Sequence, residues 1–304
     1  RIVGSSIHSS ATCLVIFAFD LKEDTQNPKP VALKLMHNKD EYEREMEMRK
    51  LGDGSTLDGA HVLQLLDSIE LEENADEHDA RLKGEDSFRF LHVMDRAQKD
   101  LSDALSHGRI AGRDKAQIVK IANQIAEHLR YLNEECGRIH GDIKPRNIVL
   151  LQVGDEMVWM LIDLDASVEI GTPAGLKKTS SACYPPEMAR RELDTSGGVG
   201  NNVEALQTQL NQLKDECSAA MYSGDMATAG GLMERMKRME AQLSRGTVVE
   251  EITASIGFEM WYFGALLYQL CTEDGETLWK ANQADNIGPE EMQDLAYRWV
   301  RIHT

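Results

Sequence analysis

The stretch His140-Gly-Asp-Ile-Lys-Pro-Arg-Asn147 places an acid, a cation and an amide close together on a short segment. The acid is Asp142, the cation is Lys144 and the amide is Asn147, and a proline between them stiffens the backbone. Upstream, apolar residues recur at the spacing of a helix, at Ile118, Ile121, Ala122, Ile125, Leu129 and Leu132. Downstream, the apolar run 148–151 predicts a strand. The sequence therefore places the polar cluster on a loop between a buried helix and a buried strand, where chemistry is commonly found.

Composition limits the classes of protein to which the chain could belong. Its 304 residues are 42% hydrophobic and 28% charged, which is typical of a globular protein. The sequence has no run of about 18 apolar residues, so we expect no membrane contact. A net charge of -18 would repel phosphates and disfavours a nucleic-acid partner. The five cysteines include no CxxC pair, which argues against disulfides or a zinc site and for a reducing, cytoplasmic location.

The loop resembles the catalytic loop of the eukaryotic protein kinases, His-Arg-Asp-x-Lys-Pro-x-Asn, with Gly141 in place of the usual arginine. Other kinase motifs occur in the order that the family requires. Val31-Ala-Leu-Lys34 resembles the strand whose lysine holds the nucleotide phosphates, and Leu161-Ile-Asp163 resembles the strand end whose aspartate binds magnesium. Residues 181–187 resemble the segment that ends in Ala-Pro-Glu, and residues 258–270 resemble the buried helix of the large lobe.

The resemblance implies a role for each polar residue. Lys34 would orient the α- and β-phosphates of ATP, while Asp163 and Asn147 would hold Mg²⁺. Asp142 would accept the proton of the substrate hydroxyl, and Lys144 would neutralise charge on the γ-phosphate. A lysine two residues after the aspartate is the pattern of serine/threonine kinases. The resemblance therefore implies a Ser/Thr protein kinase that uses ATP and Mg²⁺ and acts on a protein substrate.

Two glutamates compete to be the ion-pair partner of Lys34. Glu45 would place Arg49 four residues on, where the family has an apolar residue that packs behind the helix. Glu47 would place Leu51 at that position instead. On this ground we favour Glu47 as the catalytic glutamate, and Glu45 remains the alternative.

The resemblance also indicates where the nucleotide binds. The run Gly4-Ser-Ser-Ile-His-Ser-Ser-Ala11 occupies the position of the glycine-rich phosphate lid, with serine in place of two glycines. Met94 would lie beside the adenine, and the backbone of Asp95 and of Ala97 would hydrogen-bond the base. The expected nucleotide contacts are Gly4, Ser6, Ser9, Ala11, Ala32, Lys34, Met94, Asp95, Ala97 and Val149.

The expected fold is α+β and two-lobed, with a small antiparallel-sheet N-lobe, residues 1–95, and a mostly helical C-lobe whose last helices we expect to be truncated. Residues 96–193 would carry the catalytic loop and the activation segment, and residues 256–304 the remainder of the C-lobe. Residues 194–255 are an insertion. Within it, Val203–Leu243 has apolar residues three and four apart, as in a coiled-coil hairpin. This hairpin is either inert or an arm that binds a protein partner.

A pseudokinase scaffold that acts through the hairpin is the alternative function. The serine-substituted lid, Asp165 in place of a glycine and Glu259 in place of an aspartate all motivate it. Every residue with a direct chemical role is nevertheless present, which favours an active kinase. A small-molecule kinase of similar fold is disfavoured by Pro185-Pro-Glu187 and by the helix around Trp261, which belong to the protein-kinase pattern.

Overall fold

A computed structural model describes residues 8–9, 13–21, 26–71, 88–108, 110–174, 179–195, 210–214, 216–218, 220–221, 229–233, 235–237, 252–282 and 285–298. The chain forms two compact units. The first comprises Arg1–Cys183 with Thr253–Trp279, and the second comprises Tyr184–Ile252 with Lys280–Thr304. All residues predicted to be catalytic fall in the first unit.

A five-stranded sheet forms the N-terminal region of the first unit. Its order is β1-β2-β3-β5-β4, and every neighbouring pair is antiparallel. The strands are β1 (His8–Ser9), β2 (Cys13–Asp20), β3 (Lys29–Met36), β4 (Leu65–Glu70) and β5 (Phe90–Asp95). Strand β2 is rich in β-branched and aromatic residues, which favour a pleated and partly buried surface.

One helix, α1 (Lys39–Glu47), follows β3 and contacts the sheet. The Asn38 side chain begins it by accepting a hydrogen bond from the Asp40 backbone N–H, an N-cap that satisfies one of the free donors of the first turn. The Tyr42 ring lies against Phe90 and stacks on His92 of β5. These contacts decide which face of α1 is buried.

Helices and short strands make up the rest of the first unit. Helix α3 begins at the N-cap Asp114, and its buried face carries the apolar residues that the sequence pattern predicts. The helices of this unit are α2 (Leu101–Gly108), α3 (Lys115–Arg130, extended by the π-helical turn Tyr131–Glu135) and α5 (Ile256–Cys271). Helix α4 (Pro186–Thr195), which precedes α5 in the chain, belongs to the second unit. The strands are β6 (Lys99–Asp100), β7 (Arg138–Ile139), β8 (Ile148–Val153), β9 (Glu156–Leu161) and β10 (Val168–Glu169). Strands β6, β8 and β9 form one antiparallel sheet, and β7 pairs with β10.

The second unit is mostly helical in its described residues. Helix α4 (Pro186–Thr195) packs on α6 (Pro289–Arg298). The described residues between 210 and 237 are helical, and Leu210, Leu213 and Cys217 are buried. Both ends of the predicted hairpin, Val203 and Leu243, lie outside the described residues, so the coiled coil stays a prediction.

The architecture confirms the α+β class, with an antiparallel sheet in the N-terminal region and a mostly helical C-terminal part. None of the helices in the described residues combines the length and the apolar character that crossing a bilayer requires.

Candidate active site

The predicted catalytic loop connects β7 to β8 through the short 3₁₀ turn Pro145–Asn147. Asp142 and Asn147 are both buried here. The Asn147 side-chain Nδ2 donates to the Asp142 backbone oxygen at 2.9 Å and to Asp142 Oδ2 at 3.0 Å. Lys144 Nζ donates to the same Oδ2 at 2.7 Å and to Ser180 Oγ at 3.0 Å. The structure thus brings the acid, the cation and the amide of this loop into direct contact.

The two oxygens of Asp142 have different surroundings. Oδ2 accepts from both Lys144 and Asn147, whereas the buried Oδ1 accepts no hydrogen bond within the described part of the chain. An unpaired buried carboxylate oxygen is costly, and such groups concentrate at functional sites. Within the described residues, Oδ1 is therefore the oxygen of Asp142 that can still accept a hydrogen bond.

Glu259 on α5 forms hydrogen bonds with the backbone of the catalytic loop. Its carboxylate is buried and accepts hydrogen bonds from the backbone N–H groups of His140 and Gly141. Burial raises the pKa of Glu259, and the adjacent His140 and the two backbone donors act in the opposite direction. The kinase pattern has an aspartate at this position. The glutamate side chain is one methylene longer, and it still accepts hydrogen bonds from both backbone N–H groups.

Lys34 lies between two carboxylates. Its Nζ is 2.8 Å from Glu45 Oε2 and 2.5 Å from Asp163 Oδ1. Burial by itself would lower the pKa of Lys34, but attraction to Asp163 and then to Glu45 outweighs it and raises the pKa. The amine is therefore held in its charged form, as a ligand for anionic phosphates requires.

The preference for Glu47 as the partner of Lys34 is wrong. Glu45 is 1% exposed and faces the sheet, whereas Glu47 is exposed to solvent. The physical reason is the phase of α1, because the contacts of Tyr42 fix its buried face and Glu45 follows three residues later on that face. Arg49, which seemed to argue against Glu45, is buried as its second ion-pair partner.

Asp163 follows β9 with a backbone φ of 68°, a left-handed conformation that non-glycine residues rarely adopt. Strain of this kind persists where the surrounding structure enforces it, and it clusters at functional sites. The Ile162 N–H donates to the Asn147 backbone oxygen at 3.0 Å, which joins the Asp163 segment to the catalytic loop. The His140 ring contacts the Ile162 backbone oxygen at 3.0 Å and adds a second link.

The residues around this junction fit a magnesium ion. Asp163 supplies a carboxylate, and Asn147 supplies an amide Oδ1 because its Nδ2 is committed to Asp142. Such hard oxygen ligands suit Mg²⁺, which binds through one or two carboxylates completed by phosphates and water. Within the described residues no three His, Cys, Asp or Glu side chains form a metal site on their own. A cation here would therefore need oxygens from a bound phosphate.

An apolar cluster lies where the resemblance places the adenine. Its members include the predicted contacts Ala32, Met94 and Val149, which are buried, and Ala97, which packs against them. Phe17, which was not among the predicted contacts, pairs with Ala32 across β2 and β3 and packs on this cluster. The alternation of residues along β2 was the signal that could have found it.

The remaining predicted nucleotide contacts belong to the lid and to the end of β5. Gly4, Ser6 and Ala11 lie outside the described residues. The Ser9 backbone pairs with Leu14 in the β1–β2 hairpin. Asp95, at the end of β5, forms an ion pair of 2.7 Å with Lys29.

Comparison with known proteins agrees with this geometry. No protein-family model matches the chain. Curated relatives include the serine/threonine-protein kinase spk-1 of Caenorhabditis briggsae, 31% identical over 144 residues, and that of Caenorhabditis elegans, 28% identical over 144 residues. The chain is related to protein kinases. Each match covers 45% of this chain, but only 12% and 13% of the two relatives, so the chain spans a small part of their length.

Proposed function

We propose that the chain is an ATP-dependent serine/threonine protein kinase that transfers the γ-phosphate of Mg-ATP to protein hydroxyls. The observation that carries the proposal is the pair of contacts from Lys34 to Glu45 and Asp163, beside a loop in which Lys144 and Asn147 hold Asp142. Similarity to the spk-1 kinases supports it.

Phosphoryl transfer asks the protein mainly for positioning and for neutralisation of charge. Lys34, held by Glu45, would bind the α- and β-phosphates, and the apolar cluster with Ala32 and Met94 would enclose the base. Asp163 and Asn147 would hold Mg²⁺. The bound ion would supply positive charge beside the phosphates.

Asp142 would act on the hydroxyl of the substrate. Oδ2 is occupied by Lys144 and Asn147, so the hydroxyl would donate to Oδ1. The proton would pass to that oxygen as the bond from the hydroxyl oxygen to the γ-phosphorus forms, while the bond from the γ-phosphorus to the β,γ-bridging oxygen breaks and ADP leaves. Lys144 would remain beside Asp142 and offset the negative charge of the transferred group.

The test is transfer of labelled γ-phosphate from Mg-ATP to a generic basic protein. Asp142→Asn should lower the rate by about a hundredfold or more, the scale on which general-base catalysis acts. Asp114→Asn is the matched control, because asparagine replaces aspartate well at the N-cap of α3. Phosphoamino-acid analysis of the product should show phosphoserine or phosphothreonine.

A rate that Asp142→Asn leaves unchanged would contradict the assignment of the base. A folded protein that transfers no phosphate would contradict the proposed enzymatic activity and favour the scaffold that acts through Val203–Leu243.

A cytoplasmic location belongs to the same proposal. Its support is that none of the five cysteines is paired in a disulfide.

A further inference from the structure

Arg49 is a buried cation that the proposed reaction does not use. It follows the end of α1, and only 7% of its surface is exposed. Its Nη2 donates to Glu45 Oε1 at 3.0 Å, while the other oxygen of the same carboxylate accepts from Lys34 at 2.8 Å. Glu45 is therefore shared between two cations, and their attraction outweighs burial and lowers its pKa.

The other end of the Arg49 guanidinium binds a different segment. Nη1 donates to the Leu63 backbone oxygen at 2.5 Å. The Leu63 N–H in turn donates to the Leu161 backbone oxygen at 3.0 Å, and Val62 forms a parallel bridge with Leu161. Leu161 ends β9, two residues before Asp163. Arg49 thus connects α1, through Leu63, to the strand that precedes Asp163.

These contacts close a ring. It runs from Lys34 to Glu45, through Arg49 and Leu63 to β9, and from Asp163 back to Lys34. A guanidinium is a planar fork that can bind two acceptors in fixed directions, which an apolar side chain or a lysine cannot do. Burying it costs free energy of desolvation, and its Nε makes no hydrogen bond within the described residues. Its two directed hydrogen bonds connect segments that apolar packing would leave unlinked.

We infer that Arg49 is a positioning residue, which aligns Glu45 on Lys34 and ties α1 to β9 where the kinase pattern has an apolar contact. This inference rests on the proposed role of Lys34 in binding phosphates. Arg49 touches neither nucleotide nor substrate and acts only through Glu45 and the Leu63 carbonyl.

The first test measures the alignment without any phosphoryl transfer. The purified chain is acetylated with a small N-hydroxysuccinimide ester, which reacts with amines that it can reach, and the Lys34 peptide is quantified by mass spectrometry. In Arg49→Met, we expect Lys34 to react about fivefold faster or more, because α1 is no longer tied to the Leu63 segment and opens more often to admit the reagent. Arg49→Lys should give an intermediate rate, since one ammonium cannot reach both acceptors.

Two internal comparisons decide the result. Lys39→Met removes an exposed cation from the same helix and should leave the Lys34 rate unchanged. Lys120, exposed on α3, reports general loosening in every variant. The inference fails if Arg49→Met leaves the Lys34 rate unchanged, or if Lys120 accelerates by the same factor.

The second test is a double-mutant cycle on kcat/KM for ATP. If Arg49 acts through Glu45, then Arg49→Met should lower kcat/KM about tenfold in the wild-type background and by less than about twofold in Glu45→Gln. Independent, additive losses would overturn the inference. Absence of any phosphate transfer would contradict the proposed function alone, because the acetylation result does not depend on activity.

Discussion

At the scale of single residues, Gly141 shows how the catalytic loop depends on one backbone conformation. Its φ is 78°, and a Cβ at this position would lie 2.6 Å from the Ala166 backbone oxygen. An L side chain would therefore meet both torsional strain and a collision with rigid backbone. Glycine removes both, and its N–H still donates to Glu259.

Gly141→Ala should destabilise the protein by about 3 kcal/mol, from left-handed strain and the collision together. Gly154→Ala isolates the strain, because Gly154 has a φ of 61° and open space around it. This control should cost about 1 kcal/mol. Urea unfolding followed by tryptophan fluorescence measures both free energies, and equal losses would show that the Ala166 contact carries no cost.

At the scale of secondary-structure elements, the C-terminal end of α1 is completed by a residue from another element. Arg138 of β7 is buried, and its guanidinium donates to the Met48 backbone oxygen and, at 3.0 Å, to the Lys50 backbone oxygen. The last carbonyls of a helix lack partners within the helix, and a cation there also opposes the negative end of the helix dipole. This contact fixes α1 relative to the strand that enters the catalytic loop.

Arg138→Met should lower the free energy of unfolding by about 2 kcal/mol, because two partly buried hydrogen bonds from a charged donor are lost. Arg113→Met is the matched control, since the Arg113 side chain forms exposed ion pairs with Glu273 and Asp274. Exposed pairs contribute little, so the control should unfold like wild type. Chemical denaturation gives both values, and an Arg138→Met protein as stable as wild type would refute the role of this cap.

At the scale of the whole molecule, the burial of His92 makes the stability of the fold depend on pH. This imidazole is fully buried, and its Nδ1 lies 2.8 Å from Ser68 Oγ. Burial lowers the pKa of His92 to about 4, with Lys34 and Arg49 reinforcing the shift and Glu45 opposing it. Between pH 6.5 and about 4 the unfolded chain therefore binds a proton that the folded chain does not.

Acidification through this window should lower the free energy of unfolding, by at most about 3 kcal/mol at its lower end. His92→Gln should remove this part of the pH dependence, whereas His107→Gln, on an exposed position of α2, should retain it. Urea titrations at several pH values give the slopes. Tryptophan fluorescence is a suitable signal because three of the four tryptophans, Trp159, Trp261 and Trp279, lie in the first unit. Identical slopes for His92→Gln and wild type would contradict the assignment.

The sequence by itself determined the α+β class and the loop that carries Asp142, Lys144 and Asn147. Both depend on local patterns: apolar periodicity sets the elements, and short spacing along the chain keeps three polar groups of one loop together. The same local information predicted α3 with its buried face.

Only the tertiary structure decided between Glu45 and Glu47. Both lie on one short helix, and its buried face depends on the packing of Tyr42 against a sheet whose strands are distant in sequence. The same holds for Arg49, whose acceptors belong to α1 and to the segment before β4. In the sequence, Arg49 is a cation at a position where the kinase pattern predicts an apolar residue. In the folded chain, both acceptors lie beside Arg49, which pairs with Glu45 and donates to the Leu63 carbonyl.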